Sequence, residues 1–259
     1  MITRIISAVI GIPILIGIIT LGGAPLMAAL GLVMILGLRE FYQALSKKGF
    51  QPVDGIGYAF TVFLVFSLFL GQDWATQGIY GAFLLTALTL LLNEKYTVQD
   101  GMLTLYGILY IPILMSYIIR VDLLESPAHI IWLVFIIAFA TDTFAYFTGR
   151  FLGKHKLCPR VSPKKTIEGS IGGLVGTVAA CGVFAYFIFP QGIFSFMILG
   201  ALGSAVAQMG DLSASMVKRW TGIKDFGKIM PGHGGVLDRF DSIIFAAPLV
   251  YYYITMVVG

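Results

Sequence analysis

Nine stretches of the chain are almost purely apolar, each bounded by charge, glycine or proline. They lie near residues 4–21, 24–43, 57–71, 78–92, 101–119, 129–148, 169–189, 192–216 and 240–258. A helix crossing the hydrocarbon core of a bilayer needs about 20 mostly apolar residues. The pattern therefore predicts an all-α, polytopic integral membrane protein with nine transmembrane helices. The third and fourth stretches are short and joined by the weakly polar link 72–77, as in a bent pair. What remains outside the spans is connector, with no room for a separate soluble domain.

Placing the cations on this frame orients it. With nine spans the connectors alternate between two sides, and one side receives Arg4, the three cations from Arg39 to Lys48, Lys95, the six from Arg150 to Lys165 and the five from Lys218 to Arg239. Only Arg120 falls on the other. Cytoplasmic loops carry the excess of Lys and Arg, so the N-terminus is expected in the cytoplasm and the C-terminus outside. Residues 1–22 look like a secretory signal, but their apolar run exceeds the usual h-region of about 7–15 residues, which favours a retained first helix.

Composition narrows the class further. Of 259 residues, 58% are hydrophobic and 12% charged, against about 25% charged in an ordinary soluble domain, and the mean hydropathy is +0.91. These values exclude a soluble globular enzyme, a disordered chain and a disulfide scaffold. A net charge of +4 would suggest nucleic acid in a soluble protein. Here it sets orientation and offers sites for anionic head groups or phosphorylated substrates, and no nucleic-acid partner is expected. Cys158 and Cys181 fall in a basic loop and mid-span, so no structural disulfide is expected.

The ionisable residues collect in the second half. Asp142 and Asp211 stand on apolar helices, where an ionised side chain costs about 2.5–3.5 kcal/mol on insertion scales, so each needs partners. Ser204, Gln208, Asp211, Ser215 and Lys218 follow a helical spacing that puts all five on one face. Asp142, Tyr146 and Arg150 share a face of the sixth span. Interhelical hydrogen bonding explains such stripes equally well for Ser204 and Gln208. The Gly169–Gly173 and Gly172–Gly176 spacings read as close helix packing.

The loop after Arg150 carries Lys154, Lys156, Arg160, Lys164 and Lys165, broken by Pro159 and Pro163. Lys154 and Lys156 are accounted for by topology alone, whereas Ser162 to Thr166 combines hydroxyls and cations just before a helix N-terminus, which favours phosphate. The densest stretch runs from Lys218 to Asp241, with Arg219, Lys224, Asp225, Lys228, His233, Asp238 and Arg239 around the glycines 232, 234 and 235. Asp238 and Asp241 share a helix face and with Asp211 could hold a hard cation such as Mg²⁺; capping of a helix N-terminus is the simpler alternative. Carboxylates and cations in one pocket suit a metal-bound polyphosphate. His233 fits a hydrogen-bond donor or loop-shaping role better than a general base, since a phosphate nucleophile is already charged.

The stretch Ser215-Met-Val-Lys218-Arg219, Lys224-Asp225-Phe226-Gly227, then Pro231 to Asp241, resembles the phosphatidate cytidylyltransferase signature, as do Asp142 to Arg150 and Ser162 to Gly169. Met230 departs from the Leu, Ile or Phe expected there. The resemblance covers residues 142–241; before 130 only the hydrophobicity is compatible. It implies a bacterial-type inner-membrane enzyme that joins CTP and phosphatidic acid into CDP-diacylglycerol and pyrophosphate at the cytoplasmic face, using Mg²⁺ and leaving room for a second cation and a homodimer. By similarity Asp211 and Asp238 are the first metal ligands, with Asp241 and Asp142 next. Lys218, Arg219, Lys224 and Arg239 would face CTP phosphates, Lys164 and Lys165 either substrate, with Arg150, Ser215, His233, Gly234 and Gly235 lining the site. Residues 1–128 would be scaffold and residues 129–259 the catalytic half. The nearest rival is a CTP-using membrane enzyme with another lipid acceptor, an ether phosphatidate or a polyprenol, and a polyprenol kinase would release CDP; an anion transporter would call for inverted repeats, and none is evident.

Overall fold

The computed structural model describes residues 2–124, 129–229 and 234–258, with residues 2–10 and 12 as backbone only. Each apolar stretch forms a helix among the described residues: α1 (Ile2–Leu21), α2 (Gly23–Lys47), α3 (Asp54–Phe69), α4 (Ala75–Leu92), α5 (Val98–Asp122), α6 (Ile131–Phe151), α7 (Ile167–Ile188), α8 (Ile193–Trp220) and α9 (Leu237–Val258). Seven of them, α2 and α4 to α9, are long and apolar enough to cross a membrane. Helix α3 has 16 residues and is the shorter apolar one. Between α6 and α7 no helix runs through the loop, as Pro159 and Pro163 indicated; a two-stranded antiparallel hairpin, β1 (Lys156–Cys158) and β2 (Ser162–Thr166), lies there. The chain divides into two compact units, residues 1–123 with 220–240, and residues 124–219 with 241–259. The glycine-rich segment 220–240 thus packs with the early helices, not with the later ones beside it in sequence.

In the first unit, α2 forms the centre, with Met34, Leu38, Phe41, Tyr42 and Leu45 all buried. The Tyr42 hydroxyl donates to the Thr104 carbonyl at 2.8 Å, which satisfies the one polar atom of a large buried ring. A Cβ at Gly57 or Gly107 would run into that ring, so these positions stay bare. Helix α5 opens on a capping box between Thr97 and Asp100. It passes Pro112 through a π turn at Leu109–Ile113, where the wider turn accommodates the ring and the missing N–H.

Arg120 ends α5 almost fully buried. It donates to both oxygens of Asp73, at 3.0 and 2.8 Å, and to Ser116 at 2.5 Å, over the Tyr117 ring. The hydrogen bonds from Arg120 hold the Asp73 carboxyl below its ordinary range. A carboxylate depressed in the folded state adds stability above its unfolded value of about 3.9, and that contribution is lost as pH falls through the lower folded value. Asp73→Asn should therefore lower the unfolding temperature by a constant amount from neutral pH down to about pH 5, with the gap to the unsubstituted protein closing below about pH 4. A gap that does not narrow as pH falls below about 4 would disprove the assignment.

The second unit is built on the close approach of α6 and α7. A Cβ at Gly172 would meet Thr148, one at Gly176 the Phe144 ring, and one at Gly169 the Ala145 carbonyl. The small residues let the two backbones touch, as the spacing predicted. Thr141 and Thr177 hydroxyls share a buried hydrogen bond of 2.9 Å between the same helices. On the other side of α7, Gly200 of α8 sits against Cys181 and the Thr177 carbonyl. Both cysteines are free thiols.

Candidate active site

Helix α8 carries the polar stripe and turns it inward. Ser204, Ser215 and Lys218 are buried, while Gln208 and Asp211 are half-buried. The amide of Gln208 is fixed from two sides. It accepts from the Ser170 hydroxyl of α7 at 2.5 Å and donates to the Ser170 carbonyl at 3.2 Å and to Ser204 at 3.3 Å. Gln208 therefore bonds across to α7, and Ser204 holds it from within α8. One turn further along, Asp211 accepts from Ser215 at 3.4 Å and pairs with Lys165 of β2 at 2.5 Å.

The hairpin delivers Lys165 to that position. Thr166 ends β2 in extended conformation and caps α7 by accepting from the Gly169 amide at 3.1 Å. Glu168, in the first turn of α7, accepts from the Lys154 and His155 amides and pairs with the His155 ring at 2.6 Å. The hairpin is thereby pinned at both ends, and the two lysines of β2 diverge, Lys165 half-buried and Lys164 exposed. A cavity of about 560 Å³ opens between hairpin and helices. Asp142, Tyr146, Arg150, Lys164, Lys165 and Asp211 contribute its polar lining. Arg150 donates to the Tyr146 hydroxyl at 2.7 Å along the same helix face. Arg219, at the end of α8, donates to the Val161 carbonyl of the hairpin turn at 3.3 Å.

Helix α9 completes the group. Asp241 is 8% exposed and interacts electrostatically with Asp211, Lys218 and Asp142. Ser242 donates through its hydroxyl to Asp142 at 3.2 Å and through its amide to Asp241 at 2.8 Å. The approach of α9 to α8 depends on Gly210, where a Cβ would collide with the Asp241 carbonyl. Three carboxylates and the Lys218 ammonium, all on otherwise apolar helices, thus meet the Lys165 ammonium of the hairpin within one unit. Ionised groups in such helices mark functional sites by default.

The remaining predicted residues lie in the first unit. One oxygen of Asp238 accepts from the Phe226 and Gly235 amides, at 2.8 and 2.9 Å. This closes the loop around Gly234, which adopts φ +88°, a conformation that only glycine takes without strain. The capping alternative weighed for Asp238 thus has a counterpart in the structure, since the amides it holds lead into α9. Lys224 and Arg239 are exposed, and Gly235 is buried. His233 and Met230 lie outside the described residues.

A further residue, absent from the sequence reading, shapes this loop. Glu40 of α2 is 2% exposed and accepts from the Val236 and Leu237 amides at 3.0 and 2.9 Å. An acidic residue within an apolar span demands partners, and that argument, applied to Asp142 and Asp211, singles out Glu40 as well.

Among the described residues no three His, Cys, Asp or Glu side chains converge into a ready metal cage. Asp241 nonetheless has the carboxylates of Asp142 and Asp211 near it, with Lys218 as the cation among them, and carboxylate oxygen is the chemistry a hard cation requires. Mg²⁺ is usually held by one or two carboxylates and completed by substrate phosphates, so the carboxylates present fit a metal that arrives with its ligand.

Relatives give the arrangement a lineage. A phosphatidate cytidylyltransferase of Synechocystis is 37% identical over 98% of this chain and 96% of its own length. Proteins of the same name from Staphylococcus haemolyticus and Staphylococcus saprophyticus are 35% and 34% identical over 95% of this chain and 96% of theirs. The cytidylyltransferase family model matches residues 2–257, so helices, hairpin and loop are all included: the chain belongs to the cytidylyltransferase family.

Proposed function

We propose that this chain transfers the cytidylyl group of CTP to phosphatidic acid, giving CDP-diacylglycerol and pyrophosphate. The observation that carries the reading is the meeting of Asp142, Asp211, Asp241 and Lys218, on apolar helices, with Lys165 of the hairpin, in a chain whose relatives bear the name phosphatidate cytidylyltransferase. A phosphatidate oxygen bonds to the α-phosphorus of CTP while the bond from that phosphorus to the bridging oxygen breaks. The leaving group is pyrophosphate, and catalysis reduces to alignment and charge stabilisation.

Each residue has a part in that reaction. Asp211 and Asp241 would hold Mg²⁺, with Asp142 beside them, and the ion would supply charge neutralisation on the phosphate oxygens. Lys218 and Lys165 bring positive charge to the same phosphates, with Arg219 anchored against the hairpin turn. Arg150 and Lys164, on the cavity wall, suit the head group of the lipid, whose acyl chains stay in hydrocarbon. Extracting those chains would cost about 0.8 kcal/mol per methylene, which is the physical reason to build the site between membrane helices. Asp238 organises the loop that leads into α9 and so sets the first turn before Asp241.

The charge distribution supports nine crossings with the N-terminus in the cytoplasm, the C-terminus outside, and the reaction at the cytoplasmic face of a bacterial inner membrane. Detergent-purified protein given Mg²⁺, α-labelled CTP and phosphatidic acid should place label in lipid with an equal yield of pyrophosphate. Release of CDP would indicate phosphoryl transfer instead, and transfer only to ether or polyprenol acceptors would overturn the proposed substrate.

A further inference from the structure

We propose that Glu40 is a positioning residue for the reaction, a carboxylate clamp that sets residues 234–237 and the first turn of α9 from within α2. It rests on the cytidylyl-transfer reading for its kinetic consequence, but its geometry stands independently.

Three observations converge on Glu40. Its two oxygens each take one amide, Oε1 that of Val236 and Oε2 that of Leu237, across 196 and 197 residues of chain. These are the amides that open α9, the end at which the helix dipole favours a negative group. The loop is also moulded to the carboxylate, since a Cβ at Gly227 or at Gly235 would overlap Glu40 itself. Two glycines on opposite sides of the loop thus leave the space that one carboxylate fills. Finally, Asp238 accepts from Phe226 and Gly235, so the same loop is tied by one carboxylate from α2 and another from α9.

Capping alone does not call for this arrangement. A serine, threonine or asparagine at the helix start would satisfy an opening amide locally and without charge. Among the described residues Glu40 forms no ion pair, and its neighbour Arg39 is exposed. An uncompensated carboxylate in an apolar helix is costly. It is explained if fixed placement of α9 is what it supplies, because α9 carries Asp238, Arg239 and Asp241. Both oxygens are engaged with backbone donors, which makes Glu40 an organiser and not a ligand for phosphate or metal.

The test is Glu40→Gln, which keeps the size but points an amide N–H at a backbone N–H. Turnover per folded molecule should fall by about ten- to a hundredfold, the scale of a lost charge-assisted hydrogen bond, with the KM for phosphatidic acid unchanged and the unfolding temperature little altered. Hydrogen exchange at the Val236 and Leu237 amides should quicken selectively. Glu40→Asp should recover part of the turnover, and Gly235→Ala, pressing on the carboxylate from the loop side, should reproduce the Glu40→Gln phenotype if that variant does not fold. Wild-type turnover with unchanged exchange in Glu40→Gln would overturn the proposal. A loss of activity that follows only the amount of folded protein would do so too, by reducing Glu40 to a structural cap. Should the unsubstituted protein transfer no cytidylyl group, the reading of the reaction fails, and the exchange measurement still decides whether the clamp exists.

Discussion

Asp241→Asn should lower cytidylyl transfer by about two to three orders of magnitude, the scale of losing one preorganised electrostatic group, while leaving the unfolding temperature unchanged or raised. The two effects diverge for one reason. Asp241 is buried beside Asp211 and Asp142, so three like charges crowd a site where charge is expensive, with Lys218 as partial relief. Asparagine removes one of the three, keeps the volume and still accepts the Ser242 amide. Stability then loses nothing, whereas the proposed metal site loses a ligand. Asp211→Asn offers the contrast, because it strands Lys165, its partner at 2.5 Å, so there activity and stability should both decline. Measuring label transfer and unfolding temperature on the same preparations separates these cases. Full turnover in Asp241→Asn would remove the carboxylate group from the mechanism.

The second large effect is expected at Gly210. A methyl group there meets the Asp241 carbonyl and, at 3.1 Å, the Phe245 side chain. Backbone cannot swing aside as a side chain can, so α9 must be displaced from α8. Overpacking of this kind costs about 1–3 kcal/mol, or roughly 2–4 °C in unfolding temperature per kcal/mol for a chain of this size class. Gly210→Ala also shifts Asp241 relative to its neighbours, and turnover should fall with stability. Gly55→Ala is the control, since nothing lies within 4 Å of a Cβ at that helical position. It should be neutral or slightly stabilising. Equal behaviour of the two variants would show that α8 and α9 have slack at their contact.

How much of this was readable beforehand varied with the range of the interaction. The apolar stretches predicted every helix among the described residues, because long uninterrupted apolar runs leave little alternative, and the glycine spacing at 169–176 predicted the α6 and α7 contact. Asp142 and Asp211 announced themselves as charges in apolar helices. The hairpin did not: β1 and β2 are three and five residues long, rich in lysine, and have no alternation of apolar and polar positions to signal a strand. Pro112 gave no break because a π turn absorbs it. Glu40 escaped for a different reason. The amides it holds are nearly two hundred residues away, beyond any local pattern. The grouping of segment 220–240 with the early helices is hidden in the same way.

That grouping bears on how the protein is made. Residues 1–123 leave the ribosome first, yet their unit is finished only by Val236 and Leu237. At about 5–20 residues per second, Glu40 waits roughly 10–40 s for the amides that answer its charge. Throughout that interval a nascent chain displays an unmatched carboxylate in an apolar helix, and a chain terminated before residue 236 displays it permanently. Quality control that surveys charge inside the bilayer would therefore have a mark by which to tell truncated copies from complete ones.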